Sequence, residues 1–247
     1  MAKLVTSNLL TFPMLHRQPK YQSPININTS FLDHREDYPI LWSSGFFEKP
    51  EEIHLRNNSH TLQLTVVQEE PLFVTSKYFC CKRFYFKHIN FHWGYNHQNG
   101  SEHSINGIKY PVEMQAVYHQ YKTAYLPNVL IISYFFELTN KYHWGLKKVL
   151  EVAPLAAKER DQKMKLRLFP LKELLYTPLF SYYTYDGSRT TPPYEENVRW
   201  VICEAPLPLC QNQLDVFKNL GKSDKGLRNN CRNIQSRNFR VVTYFIF

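Results

Sequence analysis

The sequence predicts a mainly β, α+β fold in a single domain, and three observations carry that prediction. Apolar residues alternate with polar ones at period two in several stretches, as half-buried strands require. A nearly continuous apolar run over Val129–Leu138 has the length and composition of a central strand, buried on both faces. No internal repeat, low-complexity tract or Pro/Ser linker divides the 247 residues, a length sufficient for one well-buried core.

Taken in order, residues 1–21 are expected to form a loose N-terminal arm and residues 22–247 the domain. The first clear alternation sets Leu62, Leu64 and Val66 against Thr61, Gln63 and Thr65. Residues 80–93 read as a long aromatic-rich strand and 112–121 as its neighbour. In the first, Ile89, Phe91 and Trp93 oppose His88, Asn90 and His92; in the second, Val112, Met114 and Ala116 oppose Glu113, Gln115 and Val117. Each strand therefore carries a polar row on one face. Turn chemistry at 100–103 and at Asn106-Gly107 separates them, so the two rows can aim into a common cleft. Leu146, Val149, Leu150 and Val152 have helical spacing until Pro154 interrupts it. Leu214, Phe217 and Leu220 place a second short helix over 211–220. Strands are expected over 198–202 and, from its β-branched and aromatic residues, over 239–247.

Composition narrows the functional classes. A formal charge of +9 and a pI near 9.2 favour an acidic partner: an acidic protein or, if the chain is exported, a sulfated glycan. Charge alone specifies no nucleic acid. The densest basic run, 158–167, has the composition of a solvated face. No apolar run approaches the roughly 18 residues of a membrane span. The opening 15 residues are mildly apolar but broken by Thr6, Ser7, Asn8 and Thr11, which argues against a signal peptide. Five cysteines, Cys80, Cys81, Cys203, Cys210 and Cys231, make neither a zinc ribbon nor a disulfide framework. They read as reduced buried thiols of a cytoplasmic, monomeric protein, with vicinal Cys80-Cys81 as a redox alternative.

Several motifs go further. Phe91-His92-Trp93-Gly94, Gly100-Ser101-Glu102-His103 and Tyr110-Pro111-Val112-Glu113 surround the polar rows. They are joined by Gln22-Ser23-Pro24-Ile25-Asn26-Ile27, the 55–61 segment with Asn57, Asn58 and His60, and Gly187-Ser188-Arg189-Thr190-Thr191-Pro192-Pro193 followed by Glu196 and Trp200. The set closes with Asn230-Cys231-Arg232-Asn233-Ile234-Gln235. At these separations, over roughly residues 22–245, the chain resembles the α-carbonic anhydrases.

That resemblance implies a single domain around a large, mostly antiparallel twisted central sheet with short peripheral helices. It also implies a site. In the family an H-x-H pair and a third histidine, 23 residues after the second, hold a zinc ion. Here His92 keeps one position, whereas Asn90 and Gln115 occupy the other two. His88 and His119 share the faces of His92 and Gln115 but lie about 13 Å along their strands, too far to serve the same ion. By resemblance, His60 matches the proton shuttle, and Glu102 with Thr190 the pair that orients a zinc-bound hydroxide. Glu113 matches the carboxylate that orients the third histidine. Their structural alternatives are that Glu102 and Thr190 tie the 187–193 loop to the sheet, that Glu113 bonds an amide, and that His60 is an ordinary histidine at a cleft. Val117, Ile131 and Arg189 match the pocket wall, with Arg189 where the family has Leu and Ile131 where it has the smaller Val. The secreted members' disulfide has no counterpart, since Lys20 and Tyr21 precede the first motif and Tyr194 follows the 187–193 segment. Residues 1–21 also lack the family's H-W-G-Y entry.

The function implied is that of a carbonic anhydrase-related protein without metal chemistry, acting by binding and needing no cofactor. The alternative is a zinc-dependent carbonate dehydratase with a rearranged site.

Overall fold

The strand pattern of the sequence assembles, in the computed structural model of the chain, around one large sheet. The structure describes residues 20–36, 38–94, 96, 98–121, 127–175 and 179–246. Among them is a 13-stranded sheet, ten strands of which run Met164–Lys165, Glu52–Asn57, Leu62–Val67, Phe84–Trp93, Val112–His119, Val129–Leu138, Val198–Cys203, Ser181–Gly187, Thr243–Ile246, Asp33–Glu36 from edge to edge, with Leu41–Trp42, Phe73–Thr75 and Leu207–Leu209 paired off this path. Its pairings are mostly antiparallel; Val129–Leu138 lies parallel to Val198–Cys203 and to Leu207–Leu209, and Thr243–Ile246 parallel to Asp33–Glu36. Helices are few and short, Trp144–Leu150, Ala153–Lys158 and Gln211–Ser223 among them.

Period-two geometry sorts the middle strands onto two faces. Ile89, Phe91 and Trp93, Met114, Ala116 and Tyr118, and Leu130, Ile132 and Tyr134 all enter one large apolar cluster. The helices cover this side: Leu146, Val149, Leu214 and Phe217 pack into the same cluster. The opposite face carries Val117, Ile131 and Phe135 in a smaller cluster with Trp200 and Tyr185. Glu113, Gln115 and Ser133 alternate with those residues and so share that second face. Burial on both sides explains why Val129–Leu138 reads as a continuous apolar run.

Several expected boundaries move. The strand expected over 80–93 begins at Phe84, because Cys80 and Cys81 take left-handed φ of 54° and 57° and close a tight turn with Lys82 N donating to Phe79 O. Both thiols are exposed, which corrects the expectation of uniformly buried cysteines; Cys203 alone is classed as buried. The next strand ends at His119 instead of 121. Pro154 starts a second helix, sitting in its first turn where no backbone donor is needed. The final strand is confined to Thr243–Ile246, and Phe239 stands fully exposed at a left-handed φ of 61°. The basic run is divided by ion pairs, Arg160 to Asp224 at 2.8 Å and Lys165 to Glu52 at 2.9 Å.

The arm falls outside the described residues up to 19. Its last two residues are tethered: Lys20 O accepts from Asn238 Nδ2, and Tyr21 N donates to Glu196 Oε1 at 2.7 Å.

Candidate metal centre and its cleft

Antiparallel register decides which polar side chains meet. Phe84–Trp93 and Val112–His119 pair so that Asn90 lies opposite Gln115 and His92 opposite Glu113. A β-bulge between Phe86 and His88 resets the pairing below them and sets His88 opposite Val117. The turn that brings Glu102 to the same place depends on Gly100, where a Cβ would stand 1.7 Å from Pro111 O.

Glu113 is the electrostatic centre. Its carboxylate is fully buried and accepts five hydrogen bonds: from the backbone N–H groups of Glu102 and His103, His103 Nδ1, Gln115 Nε2 and Ser133 Oγ, at 2.7–2.9 Å. Burial would push this carboxyl up, but His103 and the hydrogen bonds from His103 and Gln115 overcome it and hold the group down at about 2. The His103 ring continues the network, with Nε2 lying 2.7 Å from the Tyr185 hydroxyl and that hydroxyl 2.9 Å from Ser23 Oγ.

Gln115 Nε2 donates to two carboxylates at once, Glu102 Oε2 at 2.8 Å and Glu113 Oε1 at 2.9 Å. Both partners are carboxylate oxygens, which accept, so this end of the amide is its nitrogen, and Gln115 Oε1 turns the other way. Glu102 is completed by Arg232 N at 3.0 Å to Oε1. Among the described residues no hydrogen bond joins Thr190 to Glu102. The donors that Glu102 does receive are Gln115 Nε2 and Arg232 N in place of the expected Thr190.

His92 is 2 % exposed, and its Nδ1 lies 2.9 Å from Asn230 O, which makes Nδ1 the protonated nitrogen. Nε2 then carries the lone pair, and it has no hydrogen-bond partner among the described residues. Asn230 braces this strand end further, accepting from Trp93 N and donating to Phe91 O. Asn90 Oδ1 accepts from Gln63 Nε2 at 3.3 Å. The three family ligand positions thus offer one imidazole nitrogen and two carboxamides. No group of three or more His, Cys, Asp or Glu among the described residues is placed to share a metal ion.

A cavity of about 200 Å³ opens above this floor, lined by Asn90, Gln115, Val117, Ile131, Arg189 and Thr190 among others. A second space of about 270 Å³ adjoins it across His60, Thr190, Thr191 and Pro192 and reaches His92 and Glu102. His60 is exposed at the mouth of both. Arg189, a quarter exposed, donates from Nη2 to His119 Nε2 at 3.1 Å, with Glu195 Oε2 3.6 Å from its Nε. Burial first, then the charges of His119 and Arg189, hold His88 down at about 4; burial and Arg189 do the same to His119, also at about 4. Both imidazoles are therefore neutral near pH 7.

His103, Ser133, Asn230 and Arg232 belong to the site without having been assigned a role from sequence. His103, Asn230 and Arg232 lie inside quoted motifs, so a signal existed. Ser133 sits in an apolar run where nothing but its polarity marks it, and Asn230 acts through a backbone carbonyl as well as its side chain.

Comparison with known proteins agrees with this architecture. The family profile for eukaryotic-type carbonic anhydrases matches residues 12–246. Over 242 residues the chain is 28% identical to carbonic anhydrase-related protein of Rattus norvegicus, covering 94% of this chain and 82% of that one. It is 30% identical over 206 residues to carbonic anhydrase 7 of Mus musculus, covering 81% and 76%. Mitochondrial carbonic anhydrase 5A of Homo sapiens is 34% identical over 162 residues; that match spans 60% of this chain and about half, 52%, of the relative's length. A profile spanning nearly every residue, on a sheet that pairs Asn90 with Gln115 across one cleft, leaves one assignment: this chain belongs to the eukaryotic-type carbonic anhydrase family.

Proposed function

We propose that the chain is an acatalytic carbonic anhydrase-related protein that works by binding. The observation that carries this reading is the double grip of Gln115 Nε2 on Glu102 and Glu113. It spends the amide on the protein's own carboxylates, and among the described residues Thr190 makes no hydrogen bond to Glu102. Zinc bound as in the family needs three neutral imidazoles and a fourth position for water, whose pKa the ion lowers to ~7. Borderline-soft zinc prefers imidazole or thiolate to a carboxamide oxygen, and His92 Nε2 alone does not hold it. The residues present do not fit the ion, and no catalytic step is derived through it.

On this reading the retained Glu102, Glu113 and His103 are structural, sustaining the strand and turn geometry around the cleft. The net positive charge suits an acidic partner.

Metal analysis of the purified chain tests the reading directly. The expected result is zinc far below one ion per chain and no CO2 hydration above buffer; one zinc per chain together with hydration overturns it and supports a carbonate dehydratase with a rearranged site. The reverse experiment is the Asn90→His, Gln115→His double variant. An imidazole at 115 has one N–H to give Glu113, which frees Glu102 for Thr190. Zinc is expected to bind one to one; a folded double variant that stays metal-free shows that the remaining frame is not the family's.

A further inference from the structure

We infer that the cleft beside Arg189 is a binding site for a small carboxylate, held by the guanidinium and by Asn90 Nδ2 in place of a metal. The inference rests on the metal-free reading above and adds a ligand class to it. Arg189 lines the cavity, and no Asp or Glu is among the lining residues. The nearest carboxylate to Arg189, Glu195, is more than half exposed and 3.6 Å away, a pairing weakened by solvent. Glu102 and Glu113, just below the floor, are already filled by their own donors.

The unspent hydrogen-bonding groups complement an anion. Arg189 gives one N–H to His119 and turns Nε toward Glu195, and the remaining N–H groups of its two terminal nitrogens are left for a ligand. Asn90 accepts through Oδ1 from Gln63, which leaves Nδ2 as a donor without a partner among the described residues. Gln115 Oε1, released because Nε2 serves both carboxylates, is an acceptor suited to a hydroxyl. A mostly buried guanidinium whose ion-pair partner, Glu195, is itself exposed keeps part of its desolvation cost, and a planar carboxylate relieves that cost through two parallel hydrogen bonds. The volume of about 200 Å³ corresponds to about six waters, enough for a ligand of a few heavy atoms and too small for a polymer segment. A hydroxycarboxylate matches guanidinium, amide donor and amide acceptor together.

The probe is glycolate, with glycolamide as its uncharged isostere, titrated into the full chain with EDTA present and followed by NMR chemical shifts. Glycolate is expected to shift resonances around Arg189 and Asn90 and to bind at least roughly tenfold more tightly than glycolamide, the factor a charge-assisted hydrogen bond supplies. Arg189→Leu, which installs an apolar side chain and is checked by its melting temperature, is expected to lose that preference. Asn90→Asp, nearly isosteric, sets a negative charge against the ligand and is expected to weaken it as well. Equal binding of the two probes, or unchanged affinity in either folded variant, overturns the inference. Binding that vanishes on chelation and returns with zinc overturns both this inference and the metal-free reading, whereas a metal-free chain that ignores glycolate overturns the inference alone.

Discussion

The two faces of the Val112–His119 strand are built on opposite principles. On one, Met114, Ala116 and Tyr118 lie in the large apolar cluster under the helices. On the other, Glu113 and Gln115 are equally buried but held by hydrogen bonds: the Glu113 carboxylate alone accepts five times. The apolar face is held by area removed from water and tolerates changes of shape at graded cost. The polar face is held by a closed set of donors and acceptors, in which removing one member strands the others. Gln115 is accommodated in this network because its amide supplies an N–H to Glu113 and finds a second acceptor in Glu102.

The comparison breaks most readily at Glu113. Glu113→Leu strands five donors, and we expect a loss of about 3–5 kcal/mol in urea unfolding, on the scale of breaking a buried charge network. A loss below about 1 kcal/mol would mean that the network is incidental. Next comes the apolar face, where Met114→Ala is expected to cost about 2–5 kcal/mol through the cavity it leaves. Unlike the Glu113 change, its cost should not vary between pH 7 and pH 3, and a pH-dependent cost would show that the faces are coupled.

The smallest expected effect is on the acid slope of stability. His88 has a folded pKa near 4 against an unfolded value of ~6.5. The unfolded chain therefore takes up protons first, and stability falls as pH drops from about 6.5 to 4. Glu113, held at about 2 against ~4.3 unfolded, adds stability that is present above pH ~4.3 and lost as pH falls toward 2. His88→Gln is expected to reduce the slope of the first stretch, where His119 and His143 are also held down at about 4, and to leave the second; urea midpoints across pH 7 to 2.5 read both. A slope that is unchanged in the variant removes His88 from the account.

Much of this was legible in the chain itself. Alternation at 88–93 and 112–117 predicts two polar rows on one face, and the Phe84–Trp93 and Val112–His119 strands carry them there. The motifs around His92, Glu102, Glu113 and Thr190 point to one cleft; His92, Glu102 and Thr190 line the two adjoining cavities, and Glu113 is buried behind Gln115. The misplaced ends had local causes: left-handed residues at Cys80 and Cys81, a proline that begins a helix at 154, and Phe239 turned to solvent.

What sequence by itself determined is the period of each strand and the identity of the groups at the ligand positions, because side-chain alternation is a local property of the backbone. Only the tertiary structure decided where the Gln115 amide spends its protons, that Glu102 turns from Thr190 to Gln115, and that Arg189 faces a cavity without a carboxylate. The physical reason is competition. A buried acceptor takes whichever donor register and packing bring nearest, and here those donors come from residues as far apart in sequence as Glu102, Gln115 and Arg232.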